Sequence, residues 1–343
     1  MGPSSGRRQF LNLLEAPDLQ TLEDRIVGQV VGSLREMKID EMLPIRLSRV
    51  APQFSVRPTP EYISGSHDGE IRYDQETRLF IIRLCCDRGQ LPLDDVRQLP
   101  RLRFTYAHEM AHRFFFVQKA QGWIRALEAV TVALKPSLRL QELVTLSRIE
   151  EGLCNNIARR LLIPDKLLES HCPLSDWFGA GEQLFQLLTR EARAFGVSRQ
   201  CLLVRLQKAA DGDLVKLGGP NCLILVGTTR GAITSRGPMK LRVVTAILPH
   251  ILEDLEIRRA HPGLGCEKLG EEVYDFTRSR LMSGQPSFGA VHLHVRLAGT
   301  CEGEGVLRTA TLDGWSQILK STEKSDGRSI LLWGSLAARE TFA

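Results

Sequence analysis

The chain has 343 residues, of which 43% are hydrophobic and 25% are charged, and its formal net charge is +5. These proportions are ordinary for a soluble globular protein, and the length suits two or three domains with a sizeable core. The charge is only mildly basic, so it does not by itself indicate a protein that binds nucleic acid.

The cysteines exclude several classes of protein. Eight of them are scattered along the chain without a C-x-x-C pair, which argues against a zinc ribbon and a thioredoxin-like motif. Their density does not suit a disulfide scaffold, so we expect reduced thiols and a cytoplasmic protein. The chain has no run of about 18 apolar residues, and no apolar segment follows Arg7-Arg8. We therefore expect neither a membrane span nor export.

The first predicted element is a helix that follows a loose leader of residues 1–17. From about Asp18 to Met37, four apolar side chains recur at helical spacing. They are Leu22, Ile26, Val30 and Leu34. Prolines then mark an irregular stretch, after which the sequence GEIRYDQETRLFIIRL predicts a β-hairpin with a polar turn at residues 74–77.

Helices dominate the segment that follows the hairpin. Pro100 stands near the start of a predicted helix that contains the sequence HEMAH, a position where proline is tolerated. Further helices are predicted at about residues 122–134 and 138–162, each of which stops before a proline. The order of helix, hairpin and helices predicts an α+β domain over residues 18–175.

Residues 176–215 are predicted to form a separate, helix-turn-helix-like segment. Two short helices meet at the sequence FGVS, where the glycine suits a turn and the serine suits a helix N-cap. A DNA-binding helix-turn-helix would present Arg199, Gln200 and Arg205 to DNA. The alternative is a helical pair that packs on the preceding domain.

Residues 216–343 are predicted to form a third domain of the α/β class. Five strand-like runs enclose two helical stretches, at about residues 250–260 and 266–282. His292 and His294 alternate along one of these strands and therefore share a face. A pair of histidines on a sheet surface is a commoner arrangement than a metal site, so we predict the former.

The sequence RFTYAHEMAH contains two histidines four residues apart, which lie on one face of a helix. His108 and His112 can therefore both direct an imidazole nitrogen at one metal ion. Glu109 lies about 100° round the helix from His108, beside the metal, where a general base belongs. Apolar flanking residues predict partial burial, which is costly for these groups unless they are paired or bind a metal.

A catalytic zinc site needs a third protein ligand and an open position. The metzincin pattern is excluded, because it requires glycine at 115 and histidine at 118, where the chain has Phe115 and Gln118. The later sequence SRIEEGLCNNIARRLLIP offers glutamates on a helix whose small residues allow close approach to the first helix. Periodicity alone does not choose between Glu150 and Glu151.

These two segments resemble the ImmA/IrrE family of metallopeptidases. The family pattern is R-[FY]-T-x-A-H-E-x-x-H, followed by E-x-x-x-N-x-x-A-x-x-L-L-[MI]-P, and the chain has RFTYAHEMAH and EGLCNNIARRLLIP. The resemblance covers about residues 60–210 and implies a zincin-like first domain. It implies that His108, His112 and Glu151 bind zinc and that Glu109 is the base. Manganese or iron would also suit these ligands.

The resemblance implies a zinc-dependent endopeptidase that cleaves a protein at a specific site. The implied substrate is a helix-turn-helix transcriptional repressor in a stress response, and the C-terminal domain is expected to be a GAF-like sensor. Tyr106, Arg103 and His171 are candidate stabilisers of the transition state, and the strand RLFIIRL is a candidate edge for an extended substrate. The alternative is a non-enzymatic DNA- or protein-binding transcriptional regulator with a sensor domain.

Overall fold

The computed structural model describes most of the first 206 residues and five strands of the remainder. The described residues are 5–64, 68–85, 100–120, 122–133, 136–173, 184–206, 209, 221–228, 241–247, 288–298, 307–319 and 329–339. The chain divides into two compact units. The first comprises Met1–His171 with Arg190–Leu202, and the second comprises Cys172–Thr189 with Leu203–Ala343.

The first unit begins with three helices: α1 (Ser5–Leu13), α2 (Leu19–Glu36) and α3 (Leu47–Val50). The predicted apolar stripe of α2 is confirmed, because all four of its residues are at most 2% exposed. Asp18 caps the start of α2 by accepting a hydrogen bond from the backbone N–H of Thr21.

The prediction of a loose leader was wrong for residues 5–13, which form α1. Phe10 of this helix is fully buried and its ring stacks on Phe115, with 6.2 Å between the ring centroids. Leu11 and Leu14 are also buried. The apolar residues that follow Arg7 and Arg8 therefore pack against the core.

A three-stranded sheet contains β1 (Glu61–Ile63), β2 (Gly69–Asp74) and β3 (Leu79–Cys85). The predicted hairpin is confirmed, since β2 pairs antiparallel with β3. However, β1 pairs parallel with the other side of β3, so β3 is the central strand. The prediction that β3 offers an edge to a substrate was therefore wrong. Among the described strands, β2 is the edge strand on the other side of β3 from β1.

The HEMAH sequence lies in α4 (Pro100–His112), which begins at the predicted proline. A 3₁₀ turn then leads to β4 (Phe116–Lys119) and β5 (Gly122–Arg125). The helix predicted at 122–134 begins only at Ala126, because its first four residues pair with β4. The remaining helices here are α5 (Ala126–Ala133), α6 (Pro136–Leu162) and α7 (Asp165–His171).

The predicted helical pair is present as α8 (Leu184–Phe195) and α9 (residues 199–206). Gly196 takes a positive φ of 65° between the two helices, and the hydroxyl of Ser198 accepts a hydrogen bond from the Cys201 N–H. Arg205 is only 2% exposed, so it does not offer the contact that a DNA-binding helix-turn-helix would require of it. Gln200 is exposed and Arg199 is half-buried.

The second unit contains five described strands: β6 (Asn221–Thr228), β7 (Leu241–Ile247), β8 (Phe288–Ala298), β9 (Leu307–Leu319) and β10 (Ser329–Arg339). They form one antiparallel sheet with the order β7-β6-β10-β9-β8. His292 and His294 lie two residues apart in β8. Both helices predicted in this part of the chain lie outside the described residues.

Among the described residues, no helix combines the length and the apolar composition that crossing a bilayer requires.

Candidate metal centre

Two helices bring three metal-binding side chains together. The Nε2 atoms of His108 and His112, both on α4, lie 3.1 Å apart. Glu151 on α6 places one carboxylate oxygen 3.1 Å from the Nε2 of His108 and the other 3.4 Å from the Nε2 of His112. The ligand atoms of these three residues all lie within 4.8 Å of one another.

Small buried residues accompany the close contact between α4 and α6. Ala107 and Ala111 on α4 are at most 2% exposed, and Cys154 and Ala158 on α6 are fully buried. The expectation that small residues permit this contact is supported by these four side chains. Gly152 does not contribute, since it is exposed and a β-carbon at its position would have no neighbour within 4 Å.

The structure distinguishes the two adjacent glutamates that the sequence left open. Glu151 faces the Nε2 side of His112, whereas Glu150 lies on the opposite side of the same ring. Its Oε1 atom is 2.7 Å from the Nδ1 of His112 and also accepts a hydrogen bond from Arg125. Glu150 is fully buried. The geometry therefore gives the ligand position to Glu151, as the family pattern implied.

Each histidine has an oxygen acceptor behind it. The Nδ1 of His108 lies 3.1 Å from Oδ1 of Asn155, and the Nδ1 of His112 faces Glu150. When both Nδ1 atoms donate, both Nε2 atoms carry lone pairs directed at one point. Two such lone pairs at 3.1 Å repel each other unless a cation lies between them.

The donor set fits a divalent metal ion. Two nitrogens that each lie about 2.0–2.1 Å from a tetrahedral metal are roughly 3.3 Å apart. The separation of 3.1 Å between the two Nε2 atoms is close to that value. Two imidazoles and one carboxylate are typical ligands of zinc and also suit manganese and iron, and three protein ligands leave a coordination position for solvent.

The electrostatics of the cluster favour positive charge at this point. Burial opposes protonation of His112, but hydrogen bonds with Cys154, Glu150 and Glu151 outweigh it and raise the pKa of the imidazole to about 12. Hydrogen bonds from His108 and His112 hold the pKa of Glu151 far below its usual range. The acidic groups therefore stabilise a cation, which can be a proton on His112 or a metal ion.

Glu109 lies beside the cluster without belonging to it. Its side chain is 8% exposed, and burial raises its pKa while the nearby histidines oppose the shift. It packs against the first residue of β2: a β-carbon at Gly69 would lie 3.0 Å from Cγ and 3.2 Å from Oε1 of Glu109. The carboxylate is thus confined between α4 and the sheet, which suits a group that must be held in one position.

Arg103, Tyr106 and His171, the candidate stabilisers of the transition state, have other partners in the structure. Arg103 is 1% exposed and donates hydrogen bonds to the carbonyls of Gly196 and Ile45, at 3.2 and 2.8 Å. The hydroxyl of Tyr106, a fully buried residue, donates to the carbonyl of Arg57. The Nδ1 of His171 lies 3.7 Å from a carboxylate oxygen of Glu191, and its ring contacts Phe195. None of the three belongs to the described metal-binding group.

The contacts of Arg103 predict a role in stability. Replacing Arg103 with Met should lower the free energy of unfolding by roughly 2–6 kcal/mol, because each of the two buried carbonyls left without its donor costs about 1–3 kcal/mol. Urea denaturation measures the change. A variant of unchanged stability would contradict this interpretation.

Sequence reasoning missed the roles of Glu150, Arg125 and Gly69. One signal was present for the first of these: Glu150 shares the apolar stripe of α6. The other members of that stripe are Leu146, Leu153, Ile157 and Leu161. A carboxylate on a buried stripe needs a charged partner. That partner, Arg125, comes from the end of β5, and no local pattern connects the two.

We compared the chain with protein-family models and with curated proteins. Neither comparison finds a match.

Proposed function

We propose that the chain is a metal-dependent endopeptidase of the ImmA/IrrE type, with a zincin-like first domain and zinc as its metal. The observation that carries the proposal is the convergence of His108, His112 and Glu151 beside a buried, separate glutamate, Glu109. Two nitrogens, one carboxylate and an adjacent base are the parts that metal-assisted peptide hydrolysis requires.

The residues of the cluster have distinct roles in this proposal. A bound zinc ion would polarise the scissile carbonyl and acidify a water molecule. Glu109, whose carboxylate is close to the ligands and is not one of them, would act as the base: it would accept a proton from the attacking water and pass it to the leaving amine. Asn155 and Glu150 hold the two imidazoles with their Nε2 atoms directed inward.

Strand β2 is the proposed binding edge for the substrate. Its first residue, Gly69, contacts Glu109, and among the described strands it pairs only with β3. An extended peptide that adds to this edge forms main-chain hydrogen bonds along it. Such a peptide would run past the Glu109 carboxylate, so an edge at β2 would bring the substrate to the proposed base.

Metal analysis tests the proposal. We expect the purified protein to bind one equivalent of zinc, and the Glu151→Gln variant to bind less, because a neutral amide is a poor replacement for a carboxylate ligand. Elemental analysis after dialysis measures the content. The matched control is Glu169→Gln, which changes an exposed glutamate on α7. A wild-type protein without affinity for divalent metals would sink the proposal.

The finer proposal concerns substrate and regulation, and it rests on the family resemblance. The proposed substrate is a helix-turn-helix transcriptional repressor, cleaved at a specific site during a stress response in the cytoplasm. The C-terminal unit is proposed to be a GAF-like sensor domain. Capture of an uncleaved protein by the Glu109→Gln variant tests the substrate, provided that the wild-type chain then cleaves the captured protein.

A second candidate function is a regulator that binds DNA. Gln200, which is exposed at the start of α9, favours it, whereas the burial of Arg205 removes one of the three expected contacts. Binding to DNA should then weaken as salt rises and should be lost in Arg199→Ala. Cleavage of a protein substrate without such binding would favour the peptidase.

A further inference from the structure

A buried ion pair lies directly behind one of the proposed metal ligands. Glu150 has a side chain only 1% exposed, and the Arg125 side chain that pairs with it is 32% exposed. The Oε1 atom of Glu150 accepts hydrogen bonds from the guanidinium and from the Nδ1 of His112. Arg125 Nη2 is itself 3.2 Å from that Nδ1. These three side chains come from three elements: α4, the end of β5 and α6.

Burial of the Glu150 carboxylate costs free energy, and packing alone gives no reason for a carboxylate at this position. A buried carboxylate is unfavourable unless it is paired, and even a paired one is often no more stable than an apolar replacement. Glu150 occupies a position on the apolar stripe of α6 where leucine or isoleucine would pack. The contact with His112 identifies what the carboxylate does there that an apolar side chain cannot do.

The carboxylate fixes the orientation and tautomer of one imidazole. Because the Glu150 carboxylate can only accept and lies 2.7 Å from Nδ1, the proton of neutral His112 lies on Nδ1, while Arg125 donates to the same carboxylate oxygen. The Nε2 lone pair then points at Glu151 and His108. An oxygen behind a ligand histidine also increases the basicity of the ring, and its loss typically costs 10–100-fold in metal affinity. His108 has only a neutral amide, Asn155, in the equivalent place.

We propose that Glu150, held by Arg125, is a positioning residue that fixes the tautomer of His112 and thereby sets the affinity of the metal site. The inference rests on the proposed function, since it requires a metal at this site. It assigns the two adjacent glutamates different roles: Glu151 binds the metal, and Glu150 orients a ligand.

Zinc affinity of the full-length protein tests the proposal. The protein is stripped of metal and titrated with Zn2+ against a chromophoric chelator. We expect Glu150→Gln to bind zinc about 10–100-fold more weakly than the wild type. Arg125→Gln should weaken binding in the same direction, because it leaves the Glu150 carboxylate without its cationic partner. This second variant changes a partly exposed residue, so it keeps the test available if Glu150→Gln does not fold.

Two control variants separate positioning from general destabilisation. Glu191→Gln changes another buried glutamate, 6% exposed, and Arg160→Gln changes an arginine that is 31% exposed. Both should keep the wild-type affinity. As a spectroscopic measurement, the ¹⁵N signals of zinc-loaded wild type should show His112 protonated at Nδ1, and the hydrogen-bonded Nδ1 proton should shift in Glu150→Gln.

The outcomes distinguish the two hypotheses. Wild-type zinc affinity in both Glu150→Gln and Arg125→Gln would overturn the positioning role and leave the metal site intact. A wild-type chain that binds no zinc would overturn the metal site, and with it this inference. Weaker binding in the two test variants but not in the two controls supports the proposal.

Discussion

The Glu109→Gln variant should retain zinc and lose hydrolysis. We expect its rate of peptide cleavage to fall by about 10²–10⁴-fold, which is the usual contribution of a general base. The amide has nearly the same shape as the carboxylate, so the packing against Gly69 is preserved, but it cannot accept the proton of a water molecule. Cleavage of a mixture of internally quenched peptides, followed by fluorescence, measures the rate.

Two measurements make this result specific to Glu109. The zinc content of the variant should equal that of the wild type, because Glu109 is not part of the His108, His112 and Glu151 group. Glu169→Gln, at an exposed site on α7, should cleave at the wild-type rate. If Glu109→Gln cleaved peptides as fast as the wild type, another group would have to be the base.

A single added methyl group at Gly69 should also reduce activity. A β-carbon there would lie 2.8 Å from Cγ2 of Thr105 and 3.2 Å from Oε1 of Glu109. Contacts this short force the neighbours to move. The two Glu109 contacts require its side chain to shift by a few tenths of an ångström. A displacement of about 1 Å of a catalytic group costs on the order of 10²-fold in rate, so we expect Gly69→Ala to lower kcat by a smaller factor, roughly several-fold. The same quenched peptides serve as substrate.

The controls for Gly69→Ala use other glycines and a compensating change. Gly28→Ala and Gly32→Ala on α2 add a β-carbon with no neighbour within 4 Å, so they should leave the rate unchanged. Combining Gly69→Ala with Thr105→Ser removes the shortest contact but keeps the contact with Glu109. This double variant should regain stability without regaining the full rate. Wild-type activity in Gly69→Ala would show that Glu109 has room to move.

Some predictions from the sequence depended only on local spacing, and the structure confirms them. The α2 stripe, the β2–β3 hairpin and the start of α4 at Pro100 follow from periodicity, turn residues and the tolerance of proline in a first helical turn. The juxtaposition of His108 and His112 belongs to the same class, because residues four apart always lie on one helix face. The zinc, the peptidase activity and the family stay predictions.

Other features depended on contacts between distant parts of the chain. Whether β3 is central or at an edge depends on β1, which approaches it from outside the hairpin. Trp123 and Ile124 are residue types that favour strands, but four residues are too few to establish one, and the segment forms a strand because β4 pairs with it. The two backbone acceptors of Arg103, the carbonyls of Gly196 and Ile45, also come from distant parts of the chain, and no local pattern indicates them.

The sequence by itself determined which residue types the site contains: two histidines on one helix face, a glutamate beside them and two glutamates on a later helix. Periodicity did not choose between Glu150 and Glu151, and only the tertiary structure shows that Glu151 lies with the two Nε2 atoms while Glu150 contacts the Nδ1 of His112. Adjacent helical residues differ by about 100° in direction, and both stripes of α6 include buried apolar or small side chains. The orientation of α6 relative to α4 places one glutamate on each side of His112. Arg125, at the end of β5, pairs with Glu150.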